Sequence, residues 1–280
     1  MEDDFSADIS SRPFKAFRCD EFSVNGLRDQ LLARNPQDII RAQTMSNHQL
    51  RQATPPFVLA VDTSSVSACF AIASGKQIIA SIQTEVPVPH SKTFFNLLES
   101  LLQSAGTSLT EIDAFAATTG PGSFTGLRVG LSAIKGLSHA AGKPAIGVSS
   151  IDALALASKT FGKVLVIINA GRDEAYAGLR LVRSGEIVKV LGEDLVGPAS
   201  NILQFFDQYI QKDRLIIIRA GFKEEDREHD LELGLQTIRV TSNVAEDIAI
   251  YAAEILTRQS SFDLRPHYIR PSDAEIKRTD

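Results

Sequence analysis

Apolar and polar positions follow two periods along this chain, and the switches between them mark its elements. Residues 57–61 are a continuous apolar run, 68–73 a second, and 77–83 a third beyond the Ser74-Gly75-Lys76 turn, so the pattern predicts three strands joined by short links. From His90 the period lengthens. Phe94, Phe95, Leu97, Leu98, Leu101 and Leu102 recur at helical spacing and stop at Ala105-Gly106. At 100° per residue these six cover roughly 160° of the helix surface, wider than one face against a sheet requires. Residues 112–118 read as a short buried strand, 127–141 as a helix stopped by Gly142-Lys143-Pro144, 144–148 as a strand, and 149–158 as a helix with Ser/Asp capping.

Beyond residue 160 the opening pattern recurs. Strands are predicted over 164–169, 175–182 and 187–191, offset from the first set by about 105 to 110 residues, which reads as a duplicated strand unit. A helix over 200–211, a buried strand over 215–218, a solvated charge run over 223–230 and a last helix over 244–256, capped by Ser242 or Asn243, complete the core. The tail 265–277 has two prolines and no hydrophobic period, so it should run extended. Residues 26–40 could form a short amphipathic helix interrupted at Pro36, within a leader, 1–56, that is either a mobile extension or a mis-called start with Met45 as the true one.

The helix over 127–141 sets Leu127, Leu131 and Ile134 on one face and Gly126, Gly130, Ala133, Gly136 and Ala140 on another. Each interior glycine costs a helix about 1 kcal/mol relative to alanine. The small face permits close approach of another helix, from this chain or from a partner. Together the two helices show more apolar and small surface than one sheet covers, so Phe94, Phe95, Leu98, Leu102, Gly126, Gly130, Ala133 and Leu137 are expected at a partner interface. Between strand and helix lies Gly120-Pro121-Gly122-Ser123-Phe124-Thr125-Gly126, with backbone N–H groups and hydroxyls at a helix N-terminus. That suits a phosphate or carboxylate, or it is a tight turn that needs glycine for its dihedrals. It is not a Walker A loop, because no Gly-Lys-Ser/Thr follows.

Composition narrows the classes. With 280 residues, 44% hydrophobic and 22% charged, the chain has ample core, and its net charge of −5 argues against autonomous phosphate-driven nucleic-acid binding. Cys19 and Cys69 make neither a metal pattern nor a disulfide framework. The acidic N-terminus is no signal peptide and no apolar run approaches membrane-spanning length, so the expected compartment is the cytoplasm. None of His48, His90, His139, His229 and His267 forms an i,i+4 pair, and His90 reads as a cap or a core hydrogen-bonder. Asp173 and Glu174 are adjacent on an extended segment and point opposite ways, which disfavours a catalytic pair.

The glycine loop resembles the hallmark of the bacterial TsaB family, small relatives of TsaD in the synthesis of tRNA N6-threonylcarbamoyladenosine (t6A). The same family pattern appears in Val58-Leu59-Ala60-Val61-Asp62-Thr63-Ser64, in His90-Ser91, in Gly147-Val148-Ser149-Ser150 and in Arg265-Pro266-His267-Tyr268-Ile269-Arg270-Pro271. The resemblance implies an α/β protein of the actin-like, Hsp70-like (ASKHA) fold. Its two similar lobes, 57–158 and 159–260, would each have a mixed β-sheet flanked by helices, with an extended tail over 261–280. It places Asp62, Thr63 and Ser64 with Gly120, Gly122, Ser123 and Thr125 towards nucleotide phosphates, Asp62 helping to hold hydrated magnesium; the structural alternative is an Asx-type turn closed by Asp62. It implies a non-catalytic partner of TsaD, with TsaE as a further partner and tRNA reached through the complex. Independently of the resemblance, the two helical faces leave open a homodimer when the chain is alone. This chain would require no cofactor, ATP and magnesium belonging to the complex. The metal pair of TsaD falls at Ser150 and Leu154, so no metal is expected, and the tail residues Pro266, Tyr268, Arg270 and Pro271 would contact a partner. Two rivals remain. An autonomous ATPase or sugar kinase would need Asp-x-Gly where the chain reads Asn169-Ala170-Gly171, and an M22-type metallopeptidase would need metal ligands.

Overall fold

The computed structural model describes residues 55–84, 89–183, 186–210, 215–222, 235–258, 264–267 and 269. In the first sheet β1 (Phe57–Asp62), β2 (Ala68–Ser74) and β3 (Gln77–Thr84) make an antiparallel meander. β4 (Ala114–Gly120) pairs parallel with β1, and β5 (Ala145–Ser149) parallel with β4, giving the order β3-β2-β1-β4-β5. The second sheet repeats this plan. β6 (Gly162–Gly171), β7 (Glu174–Arg183) and β8 (Glu186–Val190) are the meander, and β10 (Leu215–Ala220) and β11 (Gln236–Ile238) the parallel extension. β9 (Leu195–Pro198), which the apolar pattern does not announce, pairs antiparallel with β7.

Strand alternation sorts the first sheet into a large face and a small one. Leu59, Phe70, Ile72 and Phe115 point to one side, where α1 (His90–Ala105) and α2 (Phe124–Ala141) cover them with Phe94, Leu101, Leu127 and Ile134. Both helices end at a glycine in the left-handed conformation, Gly106 and Gly142, whose N–H returns to a last-turn carbonyl. α2 begins three residues before its apolar period, because Ser123 Oγ accepts the Gly126 N–H and caps it.

The opposite face carries alanines, and there the chain departs from the expected lobes. α3 (Ser150–Ala157) follows the first sheet, yet Ile151 and Ala155 pack with Val164, Val166 and Ile218 of the second. α5 (Val244–Arg258) follows the second sheet, yet lays Ala245, Ala249 and Ala252 on Ala60, Ala71 and Ala116 of the first. α5 thus packs across the boundary expected at 158, and α3 touches both sheets, its Ala153 lying in the first-sheet core. Periodicity reveals that a helix has an apolar face, not which sheet it meets. Another departure is the helix expected over 200–211, which is a 3-10 turn (Ala199–Phe206) followed by the short α4 (Asp207–Ile210). The helix expected over 26–40, Met45, Cys19 and the charge run 223–230 lie outside the described residues. No helix among the described residues is long and apolar enough to cross a membrane.

Candidate functional site

A cavity of about 1100 Å³ opens between the two sheets, at the carboxyl ends of β1, β4, β6 and β10. Of the residues read from the sequence as phosphate-facing, Asp62, Ser64, Gly122 and Ser123 line its first wall, whereas Thr63, Gly120 and Thr125 do not. Asp62, buried at the end of β1, accepts the Ser64 N–H at 2.9 Å and the Thr118 hydroxyl at 2.6 Å through Oδ1. Those bonds close an Asx turn and latch it to β4. Thr63 Oγ1 donates to the Gly126 carbonyl at 2.8 Å, and the Ser123 N–H donates to the Ser64 carbonyl at 2.7 Å.

The glycines follow from this contact. A Cβ on Gly122 would stand 2.6 Å from the Ser64 carbonyl oxygen, one on Gly126 would overlap the Thr63 carbonyl oxygen, and one on Gly130 would stand 2.5 Å from Thr63 Oγ1. The β1–β2 turn and the glycine loop are therefore packed on one another. Gly120, at φ +108, is crowded from the other side, because the His267 carbonyl oxygen would lie 3.0 Å from its Cβ. The His267 N–H donates to the Thr119 carbonyl at 2.8 Å, and Leu264 and Ile269 pack on the first-sheet and second-sheet cores. Thr125 is exposed in the first turn of α2.

Several expected interface residues turn out to be internal. Gly126 and Gly130 are buried against Thr63, and Phe94 and Leu98 lie in the first core. A small or apolar residue on a helix looks the same in sequence whether its own sheet or a partner covers it. Phe95 is 62% exposed, while Leu102, Ala133 and Leu137 are half-buried. In the tail, Pro266 is exposed; Tyr268, Arg270 and Pro271 lie outside the described residues.

On the second wall Asn169 Oδ1 accepts the Gly171 N–H at 2.7 Å, and its Nδ2 donates to the Gly221 carbonyl at 3.0 Å. Asp173 sits at φ +59 in the β6–β7 turn with Glu174 beginning β7, so the two do not form a carboxylate pair facing the cleft. His90 Nε2 lies 2.9 Å from the Ser65 carbonyl and ties α1 to the β1–β2 turn, a hydrogen bond made at the surface rather than in the core or as a cap. Ser150 and Leu154, where the sequence resemblance put the metal pair's counterparts, line the cleft, and the buried Ser150 hydroxyl has no hydrogen-bond partner among the described residues. Among the described residues no three His, Cys, Asp or Glu side chains gather as metal ligands would.

One cluster escaped the sequence reading. Arg180, in the middle of β7, is 2% exposed; its Nε donates to Asp152 of α3 at 2.5 Å, and its Nη1 and Nη2 to Asp194 at 2.7 and 2.9 Å. Gly178 admits Asp194, whose carboxylate would overlap a Cβ there. Burial pushes the Asp152 carboxyl above its usual range, with Arg180 opposing, while the two carboxylates outweigh burial and keep the guanidinium charged. The cluster fastens α3 to the second sheet. Its only signal in the sequence is an arginine inside an apolar strand.

A family model described as TsaD, tRNA N6-adenosine threonylcarbamoyltransferase, matches residues 79–256. The tRNA threonylcarbamoyladenosine biosynthesis protein TsaB of Escherichia coli K12 is 34% identical over 122 residues, 42% of this chain and 52% of that protein, so the match spans about half its length. The TsaB of Bacillus subtilis is 28% identical over 236 residues, 79% of this chain and 96% of its own. Among solved structures, YeaZ from Pseudomonas aeruginosa superposes with a TM-score of 0.63 at 24% identity, over 76% of this chain and 99% of that one, a likeness of fold. The two mixed sheets with their flanking helices are the architecture that the sequence resemblance implies.

Proposed function

Since the chain belongs to the TsaD family, within its TsaB (YeaZ) members, we propose that it is a non-catalytic partner subunit in the synthesis of t6A on tRNA. The observation that carries this reading is the closed contact between the β1–β2 turn and the glycine loop. Phosphoryl transfer needs backbone N–H groups turned towards the phosphates. Here the Ser123 N–H is already given to the Ser64 carbonyl, and the Gly126 N–H to Ser123 Oγ.

In this reading the acyl transfer belongs to TsaD, which this chain holds in a competent arrangement, and TsaE and tRNA are met through the complex. ATP and magnesium act at the level of the assembly, in the cytoplasm. The apolar stripe of α1, with Phe95 outermost and Leu102 beside it, supports a contact with a helical partner. Co-purification with the cell's own TsaD tests the proposal. The pair should transfer threonylcarbamoyl where this chain alone does not, and Phe95→Glu should weaken pairing at least tenfold without changing the melting temperature. Robust ATP turnover by this chain alone, abolished by Asp62→Ala, would instead establish the autonomous ATPase.

A further inference from the structure

The outer side of α1 holds an apolar groove of about 510 Å³, lined by Phe95, Leu98, Leu102 and Leu109 with Glu99 and Gln103 at its rim. The described chain begins at Pro55, whose carbonyl accepts the Ser74 hydroxyl at 3.3 Å beside the β2–β3 turn. The Phe57 N–H donates to the Asp113 carboxylate at 3.0 Å, and the Asp113 N–H donates back to the Phe57 carbonyl at 2.8 Å. One 3-10 turn (Leu109–Glu111) separates that contact from the floor of the groove. The 54 residues before Pro55 therefore join the first sheet at the end from which that turn leads to the groove.

Within that leader, residues 27–40 contain Leu27, Leu31, Leu32, Ile39 and Ile40, with Arg28, Asp29, Arg34 and Asp38 balancing in charge. We propose that this segment is the groove's occupant, its leucines covering Phe95 and Leu102. Leu27 and Leu31 have the i,i+4 spacing that a helix-lined apolar groove reads. The fourteen residues 41–54 leave ample reach, since a coil of that length spans about 20 Å. Such a tether sets a local concentration in the millimolar range, which favours this segment over a second copy. The groove is the surface assigned above to the catalytic partner, so the leader is also an internal competitor for it. That consequence rests on the partner reading, and the docking itself does not.

The chain contains no tryptophan, so Phe95→Trp places a single emitter in the groove of the full-length protein. The expected result is blue-shifted emission shielded from acrylamide, independent of protein concentration. Adding Leu27→Glu and Leu31→Glu should shift it to the red and restore quenching at an unchanged melting temperature. If Phe95→Trp disturbs folding, Gln103→Trp, exposed on the same rim, carries the emitter instead. An indole equally exposed, or equally shielded, with and without the glutamates overturns the proposal. So does shielding that fades on dilution as the mass from light scattering halves, which identifies a second copy. No partner is present in the assay, so its outcome is separate from that of the partner reading.

Discussion

Gly126 and Gly136 lie on one helix, ten residues apart, and replacing each by alanine should have opposite effects. A methyl group on Gly126 would run into the Thr63 carbonyl, a backbone atom that no rotamer change removes, and the Thr63 hydroxyl is bonded to the Gly126 carbonyl. Overpacking of this kind costs about 1–3 kcal/mol, and disturbing a buried hydrogen bond adds about 1 kcal/mol. The helix recovers at most about 1 kcal/mol from losing a glycine. Gly126→Ala should therefore destabilise the protein by about 1–3 kcal/mol. Around Gly136 nothing lies within 4 Å of an added Cβ, and the residue is exposed. Gly136→Ala should accordingly stabilise by about 0.5–1 kcal/mol. At about 2–4 °C per kcal/mol for a chain of this size, the first variant loses about 2–12 °C of melting temperature and the second gains about 1–4 °C. Thermal and urea unfolding of the two variants side by side is the assay. Equal stabilities, or a Gly126→Ala variant more stable than the parent, would mean that the turn and the glycine loop are not in contact, and the reading of a closed loop would fall with it.

Two further substitutions probe how the returning helix is held. Asn243→Ala should cost about 2–4 kcal/mol in urea unfolding, since the buried amide caps α5 at the Ala245 N–H and donates to the Phe70 and Ile82 carbonyls of β2 and β3; a loss under 1 kcal/mol would refute that role. Asp247, also on α5, is held above the usual carboxylate range, first by burial and against the pull of Lys159, and its Oδ2 has no partner among the described residues. The folded state then binds that proton more readily than the unfolded one, so its penalty is present above the folded pKa and relieved as pH falls through it. Unfolding free energies of the parent should gain on those of Asp247→Asn as pH falls from neutral towards the ordinary carboxylate range, and parallel curves would refute the burial.

Much of the fold was legible because strand period and turn chemistry are local. The three opening strands, the duplicated meander, and the helix stops at Gly106 and Gly142 all follow from neighbouring residues. The exchange of α3 and α5 was not legible, because it depends on which of two apolar faces a third element meets. The alanines of β1, β2 and β4 were the missed sign: a strand face that small asks for a helix as small as α5. The candidate site was half legible. Asp62, Gly122 and Ser123 were picked out together and do stand together, yet sequence cannot tell an N–H turned outward to an anion from one already given to Ser64. The tail's approach to Gly120 was likewise invisible, since His267 acts there through its backbone.

The duplication explains why a loop so built need not bind a phosphate. Asp62 and Asn169 occupy the same place in the two sheets, at the end of the first strand of each meander. Each accepts the N–H two residues on, Ser64 at 2.9 Å and Gly171 at 2.7 Å. Each then reaches the end of the neighbouring parallel strand, Asp62 taking the Thr118 hydroxyl and Asn169 giving its amide to Gly221. In the second sheet the latch works through a neutral amide, so the geometry does not require a charge. The carboxylate of Asp62 performs the same two tasks with one oxygen, and both of its partners come from this chain. A side chain that closes a turn and fastens it to the next strand already accounts for an acceptor oxygen at that position, whatever its relatives do with theirs.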